Sequence, residues 1–428
     1  MLRKSVFPLI LLLCVGIIIP LQQAAAEERL YEIAFVKPIF TATAYQQNGF
    51  YKFFRNFVNV PATTFVTHDL HLLDTHLVDE WGWSSGFNHF IHSPKLKDWG
   101  IVLGSNAVII SDLDVHEGIL FRSNGENRYE AVVVGFSEYV TAKQYSEYRS
   151  FVEKGGKLVL LDANFFLAEV AYNKETKMLK LVKGHGWSFD GKIAKRDEFR
   201  RWPKENAEWL GSNYFPLGRF EVKFKGAMAD TKHPISVALR TKFGANVFKD
   251  YVRHEENGVL NPKAKIIAHW SADLQEGKIA AYELRHGKGI VFHTGIFGDN
   301  MIASDEPFQF LVLSMIRYEV PQKKLKISRV NLSNDCEFQN AFIELRNYAD
   351  EQLDVSDWKI VAGERIFNRV LHGMIIPPKS SIFIEALDDS LSMTDLLILD
   401  EKGSIHHDPV LGTEELSADK EPMMFLPC

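Results

Sequence analysis

The chain has 428 residues, which is more than one ordinary hydrophobic core accommodates, so we expect two or three domains. Its composition is that of a globular protein, with 46% hydrophobic and 24% charged residues. The formal net charge of −6, with no basic cluster interleaved with aromatic residues, argues against nucleic acid and anionic membranes as general partners.

The first 26 residues have the pattern of an export signal. Arg3 and Lys4 precede an apolar run over residues 6–21, and three alanines at residues 24–26 offer a cleavage site. The run is shorter than the roughly 20 residues that span a bilayer. We therefore predict a cleaved signal peptide over residues 1–26 and a secreted or extracytoplasmic protein, the cell surface included. Membrane association is expected only if the segment stays uncleaved.

Short apolar strands alternate with helices in the next part of the chain. Strands are predicted at residues 32–36 and 107–111, and an aromatic-rich helix at residues 50–57. The histidines of residues 68–100 lack a metal-binding spacing, so we interpret them as solvated or hydrogen-bonded. Such alternation is typical of an α/β fold with a doubly wound parallel sheet.

The best-specified unit of the chain covers residues 129–166. The β-branched run at residues 129–134 predicts a strand that is buried on both faces. Thr141 and Gln144 have the spacing of a capping box, which begins a helix that two glycines end. A second strand follows at residues 157–161. Strand, helix and strand of this length predict a right-handed crossover between parallel strands.

Polar side chains follow the predicted strands where each strand ends. Ligands of open parallel sheets bind beyond these carboxyl ends. The candidate catalytic residues are therefore Asp114, His116, Glu138, Tyr139, Asp162 and Asn164. His116 would act as acid or base near neutral pH, with Asp114 or Glu138 orienting it. Carboxylates at such positions also cap helices, which is the structural alternative.

The strand ends carry neither a nucleophile elbow nor a glycine-rich phosphate loop, so we predict no nucleotide cofactor. Residues 172–216 are polar without a regular period and predict an insertion, in which His185 is interpreted as structural. Further strands are predicted at residues 265–270, 278–284 and 289–293, and an apolar helix at residues 306–318 closes the domain.

The residue pattern of the sequence changes after a predicted linker at residues 321–325. Residues 326–428 contain short alternating runs with turn signals and little helix, which predict a small β-sandwich. Cys336 and Cys428 bracket this segment. Export permits a disulfide between them, and two unpaired thiols are the alternative.

Three pieces, at residues 107–118, 129–139 and 155–166, resemble the class I glutamine amidotransferase-like domain of N,N-dimethylformamidase large subunits. The family patterns DLH, HPEY and GNGFY fall at the ends of the three strands in these pieces. The third reads Ala-Asn-Phe-Phe here and the second Phe-Ser-Glu-Tyr. The resemblance implies a flavodoxin-like sheet, with insertions, over residues 27–320.

In the enzyme members, the resemblance implies hydrolysis of an amide at a mononuclear iron held by two tyrosines and a glutamate. Only Tyr139 carries over as a metal ligand, because the second tyrosine is replaced by Phe166, which has no oxygen. The patterns assign no residue to the glutamate. Iron or zinc would be the cofactor of such a site.

The tail also resembles a known family. Residues 342–347, FIELRN, and 353–360, LDVSDWKI, are similar to the patterns of the lamin-tail domain, an immunoglobulin-like sandwich. The resemblance implies this domain over residues 326–428. Such domains are appended to exported microbial enzymes and surface proteins, where they would serve binding or anchoring.

Two functions are consistent with these features. The first is an exported binding or scaffold protein, built on a catalytically divergent amidotransferase-like domain, with a small molecule, a glycan or a protein as ligand. The alternative is an exported hydrolase acting on non-peptide C–N bonds of small amides, as formamidases do, or on sugar derivatives. Substrate, metal content and oligomeric state stay open at this stage.

Overall fold

The computed structural model describes the chain in segments. They are residues 32–60, 68–78, 85–161, 164–215, 226–229, 231–244, 248–249, 256–259, 261–270, 279–295, 305–318, 325–331, 342–347, 352–356, 358–362, 369–371, 373–385, 396–399 and 405–407. The predicted signal peptide, most of the predicted linker, Cys336, Cys428 and Asp162 lie outside these segments.

Strands make up most of the regular structure. In chain order they are β1 (Ile33–Lys37), β2 (Asp74–His76), β3 (Ala107–Ser111), β4 (Ala131–Val134), β5 (Ser137–Val140), β6 (Lys157–Leu160), β7 (Phe165–Asn173), β8 (Met178–Gly184), β9 (Trp187–Phe189), β10 (Ala194–Arg196), β11 (Ser212–Phe215), β12 (Gly226–Met228), β13 (Phe248–Lys249), β14 (Glu256–Val259), β15 (Lys265–Trp270), β16 (Ile279–His286), β17 (Gly289–Thr294), β18 (Leu325–Asn331), β19 (Phe342–Asn347), β20 (Leu353–Asp354), β21 (Trp358–Ala362), β22 (Arg369–Leu371), β23 (Ile375–Ile376), β24 (Ser381–Glu385), β25 (Leu396–Leu399) and β26 (Ile405–His407).

The helices are fewer and short. They are α1 (Ile39–Ala44), α2 (Phe50–Phe57), α3 (Ser85–Ile91), α4 (Lys95–Asp98), α5 (Asp112–Glu117), α6 (Ala142–Glu153), α7 (Pro203–Glu205), α8 (Pro234–Phe243) and α9 (Glu306–Arg317), with a 3₁₀ turn at Leu70–Leu73 and a π-helical turn at Asn206–Leu210. No helix in the described part of the chain is both long and apolar enough to cross a membrane.

A mixed sheet forms the centre of the α/β part. Its strand order is β3-β1-β4-β6-β17-β16-β15-β12-β13. The first five strands in this order are parallel, and the rest pair antiparallel. The prediction of an α/β fold with parallel strands is confirmed, and the crossover from β4 through α6 to β6 lies at the predicted place.

Both faces of this sheet are covered, which explains the uninterrupted apolar strands. Phe35 and Val133 point to one face, which α3, α8 and α9 cover. Val36 and Val134 point to the other face, which α5 and α6 cover. All four side chains are completely buried.

A second sheet extends the fold where the sequence predicted an irregular insertion. Its order is β10-β9-β8-β7-β5, and β2 pairs with β8. Burial alternates along β8 because one face of the strand packs on the core and the other carries polar residues. Because this face is polar, the strand was not predicted from the sequence of residues 172–216. Strand β5 of this sheet carries Glu138 and Tyr139, two of the site residues predicted from the sequence.

The strands after residue 325 pair antiparallel in three small sheets. Their orders are β18-β19-β24, β22-β21-β25-β26 and β20-β23. Ile343, Ile360 and Ile384 of these strands are buried. The described residues of this part contain no helix.

Candidate functional site

Helix α1 is the element that organises the site. A helix of six residues is too short to be stable alone, so tertiary contacts must hold it. All of its residues are buried. The Thr41 hydroxyl oxygen accepts hydrogen bonds from the backbone N–H groups of Glu138, at 2.9 Å, and Tyr139, at 3.1 Å. The Thr41 side chain of α1 therefore fixes the backbone of Glu138 and Tyr139 in β5.

Asp112 holds the first turn of α1, next to Thr41. Its Oδ2 accepts a hydrogen bond from the Phe40 N–H at 3.0 Å, and its Oδ1 accepts one from the Gln144 side-chain amide. The carboxyl is completely buried. Burial raises its pKa to about 7, although both hydrogen bonds favour the charged form.

This raised pKa predicts a pH dependence of stability. The folded chain binds a proton at Asp112 more tightly than the unfolded chain, whose carboxyl has the ordinary pKa of 3.8. The contribution of Asp112 is therefore fully present below about pH 4 and is lost as the pH rises towards 7. We expect the free energy of unfolding of the Asp112→Asn variant, relative to the unmodified chain, to rise over this range by a few kcal/mol.

Urea unfolding between pH 4 and pH 8 measures this difference. Asp114→Asn is the control, since Asp114 lies on the same helix but is exposed to solvent. A flat difference profile for Asp112→Asn over this range would contradict the prediction.

The Glu138 carboxylate is the centre of the site. It is only 1% exposed. The Tyr45 hydroxyl donates a hydrogen bond to its Oε2 at 2.5 Å, and His185 Nε2 contacts its Oε1. Tyr45 follows directly after α1, so the docking of that helix brings its phenol to Glu138. Burial raises the pKa of Tyr45, and the charge of Glu138 raises it further.

Tyr139 reaches the same place although it follows Glu138 in the strand. Adjacent residues of a regular strand point to opposite faces. The pairing of β5 with β7 shifts register between Ser137 and Tyr139, and this irregularity lets both side chains contact His185. The Tyr139 ring stacks on the imidazole with centroids 5.0 Å apart and planes 9° apart. Its hydroxyl is buried and has no hydrogen-bond partner among the described residues.

His185 comes from the turn between β8 and β9. Three consecutive residues have positive φ there: Gly184 at 117°, His185 at 50° and Gly186 at 80°. Histidine is one of the few residues with a side chain that adopts this conformation at modest cost. A side chain at Gly184 would lie 2.4 Å from the Leu167 carbonyl oxygen. The glycines thus allow a close approach to β7, which places His185 against Glu138.

Aromatic side chains surround this group. We call Tyr45, Glu138, Tyr139 and His185 the Glu138 cluster, and Tyr51, Phe54 and Phe199 its aromatic rim. Tyr51 stacks on Tyr45 at 4.1 Å between centroids, while Phe54 and Phe199 meet the His185 ring edge-on at 4.8 and 5.1 Å. The three rim residues are half-buried, so they lie between the cluster and solvent.

The structure brings together only part of the predicted site. Glu138 and Tyr139 belong to the cluster, on a strand of the second sheet rather than in a loop beyond a strand end. Asn164 is buried immediately before β7. Asp162 lies outside the described residues.

Asp114 and His116 occupy other positions. The Asp114 carboxylate accepts a hydrogen bond from the Ser111 N–H and forms a capping box for α5, which is the structural alternative that the sequence offered. His116 Nδ1 lies 2.8 Å from the Thr141 hydroxyl, and its ring packs against Phe40 and Tyr172. Burial lowers the pKa of His116.

Sequence reasoning missed Tyr45 and did not predict that His185 contacts Glu138. Tyr45 follows a helix whose apolar residues show no helical period, so no motif marks it. His185 had a signal, because a histidine between two glycines is the pattern of a tight turn with positive φ. The interpretation of His185 as structural did not use that signal.

The donor set of the cluster suits a cation. Two phenols, a carboxylate and an imidazole are ligands that iron accepts. Burial raises the pKa of both Tyr45 and Tyr139, so these phenols ionise only if a positive charge compensates them. The Tyr139 hydroxyl, which has no hydrogen-bond partner within the described segments, fits such a ligand. The described residues contain no group of three His, Cys, Asp or Glu side chains that would hold a metal ion, so the tyrosines are essential to this set.

Comparison with known proteins gave one family. The model of the family described as N,N-dimethylformamidase beta subunit-like, C-terminal, matches residues 22–298, which is more than half of the chain. No curated protein matches.

Solved structures show only distant likeness. A β-galactosidase from Bacillus circulans sp. alkalophilus is 11% identical with a TM-score of 0.30, over 83% of this chain and 41% of that one. A putative ThuA-like protein from Bacteroides uniformis is 10% identical with a TM-score of 0.35, over 69% of this chain and 94% of that one. The chain thus spans about two fifths of the β-galactosidase, and TM-scores this low do not define the fold.

Proposed function

Because the chain belongs to the N,N-dimethylformamidase beta subunit-like, C-terminal family, we propose that it hydrolyses a C–N bond of a small amide at the Glu138 cluster. One observation carries this proposal. Tyr45, Glu138 and Tyr139, two phenols and a carboxylate, converge at one buried place. This is the ligand set of two tyrosines and a glutamate that the resemblance implies for the enzyme members.

We propose that Tyr45, Glu138 and Tyr139 would hold an iron ion. Tyr45 then takes the part of the second tyrosine, for which the sequence offered only Phe166. When bound, the ion supplies Lewis-acid polarisation of the amide carbonyl. The fit rests on the Tyr139 hydroxyl, to which none of the described residues is hydrogen-bonded, and on the position of the Tyr45 hydroxyl, 2.5 Å from a carboxylate oxygen of Glu138.

The chain's own residues would do three things for the reaction. The three anionic side chains would hold and orient the charged centre in a buried, low-dielectric place, where electrostatic interactions are strong. The aromatic rim would exclude bulk water and pack against the alkyl groups of the substrate. Thr41 and the β5 backbone would keep Glu138 and Tyr139 in position.

The finer architecture and the location of the protein are part of the proposal. The parallel order β3-β1-β4-β6-β17 supports a flavodoxin-like sheet, since it is the order 2-1-3-4-5 of that fold when these strands are numbered along the chain. The antiparallel strands after residue 325 support a lamin-tail-like sandwich. We also propose an exported protein, on the strength of the first 26 residues. The low-similarity β-galactosidase match adds no support for a sugar substrate.

The second candidate is the binding or scaffold protein. One observation favours it: the Tyr45 hydroxyl and His185 Nε2 already contact the two carboxylate oxygens of Glu138. A divergent domain that had lost its chemistry would keep such an internally paired cluster for stability. The two candidates differ in metal binding and in activity.

Metal loading of the purified chain tests the proposal. We expect about one iron ion per chain, a visible phenolate-to-iron charge-transfer band, and release of ammonia from formamide or of dimethylamine from N,N-dimethylformamide. Tyr139→Phe removes one phenolate, so we expect it to weaken the band and to lower the hydrolysis rate by at least about 100-fold.

Tyr148→Phe is the matched control. Tyr148 is also a fully buried tyrosine, but it lies on α6 and stacks on Phe166 instead of entering the cluster. We expect it to leave the band and the rate unchanged. A chain that binds no iron and releases no amine would overturn the hydrolase and leave the binding protein as the better candidate.

A further inference from the structure

We propose that His185 is a fourth donor to the ion at the Glu138 cluster. The inference rests on the proposed function, because it concerns the same ion. The resemblance implies two tyrosines and a glutamate, whereas the structure of this chain adds an imidazole to them. The site would therefore hold the ion by three oxygen donors and one nitrogen donor.

The first observation is the contact between His185 and Glu138. Both side chains are almost completely buried, with 3% and 1% exposed. Nε2 of His185 faces Oε1 of Glu138 in a contact that lacks the geometry of a hydrogen bond. A ring with its proton on Nδ1 would present the Nε2 lone pair here, which is what a metal ligand requires.

A second buried histidine shows what a purely structural pair looks like. His233 pairs with Glu283 through Nε2 at 3.1 Å, and its Nδ1 accepts a hydrogen bond from the Ile235 N–H at 3.2 Å. Both ring nitrogens of His233 are thus used. Buried polar groups ordinarily have hydrogen-bond partners, and Nδ1 of His185 lacks one among the described residues. Hydrogen bonds therefore do not explain why His185 is buried.

Packing and backbone conformation hold the His185 ring instead. Tyr139 covers one face of it, and Phe54 and Phe199 meet it edge-on. The backbone adopts a positive φ of 50°, which costs free energy for any residue with a side chain. Strain of this kind collects at functional sites, where a side chain must be aimed. The turn aims Nε2 at the carboxylate to which Tyr45 also binds.

The fourth donor has a chemical consequence. Imidazole is neutral, so the charge that the ligands supply stays that of two phenolates and a carboxylate. The imidazole occupies one coordination position of the ion. A site with four protein ligands therefore has fewer positions for substrate and water than a site with three. Imidazole is a ligand that iron and zinc both accept.

X-ray absorption of the iron-loaded chain tests the inference without reference to activity. We expect the scattering pattern of one imidazole per iron. In His185→Gly, which suits the positive φ, we expect this pattern to disappear and the iron dissociation constant to rise by about 100-fold. Added free imidazole should restore both, since the variant leaves a ring-sized space between Tyr139, Phe54 and Phe199.

Two controls make the outcomes distinct. His116→Ala removes a half-buried imidazole outside the cluster and should leave the spectrum and the dissociation constant unchanged. Iron with a phenolate band but no imidazole scattering in the unmodified chain would overturn the inference and leave the proposed function standing. Absence of iron from the unmodified chain would overturn both. If His185→Gly does not fold, the spectrum of the unmodified chain decides alone.

Discussion

Replacement of Gly184 by alanine is expected to lower the free energy of unfolding by about 4 kcal/mol. The added Cβ would lie 2.4 Å from the Leu167 carbonyl oxygen and 2.5 Å from the Ala168 Cα, and both are backbone atoms of β7. No rotation of a side chain relieves such a contact, so the turn or the strand must move. The φ of 117° adds the cost of a left-handed conformation. Urea unfolding of the purified variant measures the loss.

Gly118→Ala separates the two contributions. Gly118 ends α5 with a φ of 96°, but no atom of the described part of the chain lies within 4 Å of the position of its Cβ. This control should cost only about 1 kcal/mol, the penalty for the left-handed conformation. Equal losses in the two variants would mean that the turn of His185 is not packed against β7 as the structure has it.

Glu138→Gln is expected to abolish iron binding and to reduce amide hydrolysis by about 1000-fold or more. Glutamine has nearly the same shape but supplies no negative charge, so the cluster loses a ligand without losing volume. An amide oxygen still accepts the hydrogen bond from Tyr45. We therefore expect the free energy of unfolding to change by less than about 1 kcal/mol. Iron content, the rate of amine release and urea unfolding are the three measurements.

Glu283→Gln is the matched control for the loss of a buried charge. Glu283 is 1% exposed and pairs with His233, away from the cluster. Burial alone would raise its pKa, but the hydrogen bond and charge of His233 bring the pKa down to about 2. The control should therefore lose about 2 kcal/mol of stability and keep its iron. The opposite pattern, with iron lost from Glu283→Gln and kept by Glu138→Gln, would refute the site.

The local part of the fold could be predicted from the sequence, because it depends on neighbouring residues. The helix α6 begins at the capping box of Thr141 and Gln144, and β4 and β6 flank it as expected. Burial on both faces could be recognised from the apolar run of β4 alone. The second sheet could not be predicted, because the pairing of β5 with β7, and of β7 with β8, depends on contacts that no local pattern marks.

The site was predictable only in the two residues that a motif marks. Glu138 and Tyr139 are adjacent and lie between a recognisable strand, β4, and a recognisable helix, α6. Tyr45 lies 93 residues before Glu138, and His185 lies in a turn after β8. Tyr45 reaches the Glu138 cluster only through the tertiary packing of α1. The register shift in β5, which puts adjacent residues on one side, has no sequence signature either.

The shortness of α1 has a dynamic consequence. With six residues it has little helical stability of its own, so it stays in place only through contacts such as those of Thr41 with β5. Local opening of α1 would carry Tyr45 out of the cluster and leave the rest of the sheet intact. An ion bound by Tyr45 and Glu138 together would bind only the closed form. It would thus oppose this opening by mass action, and the occupied chain would be the more rigid one at its N-terminal helix.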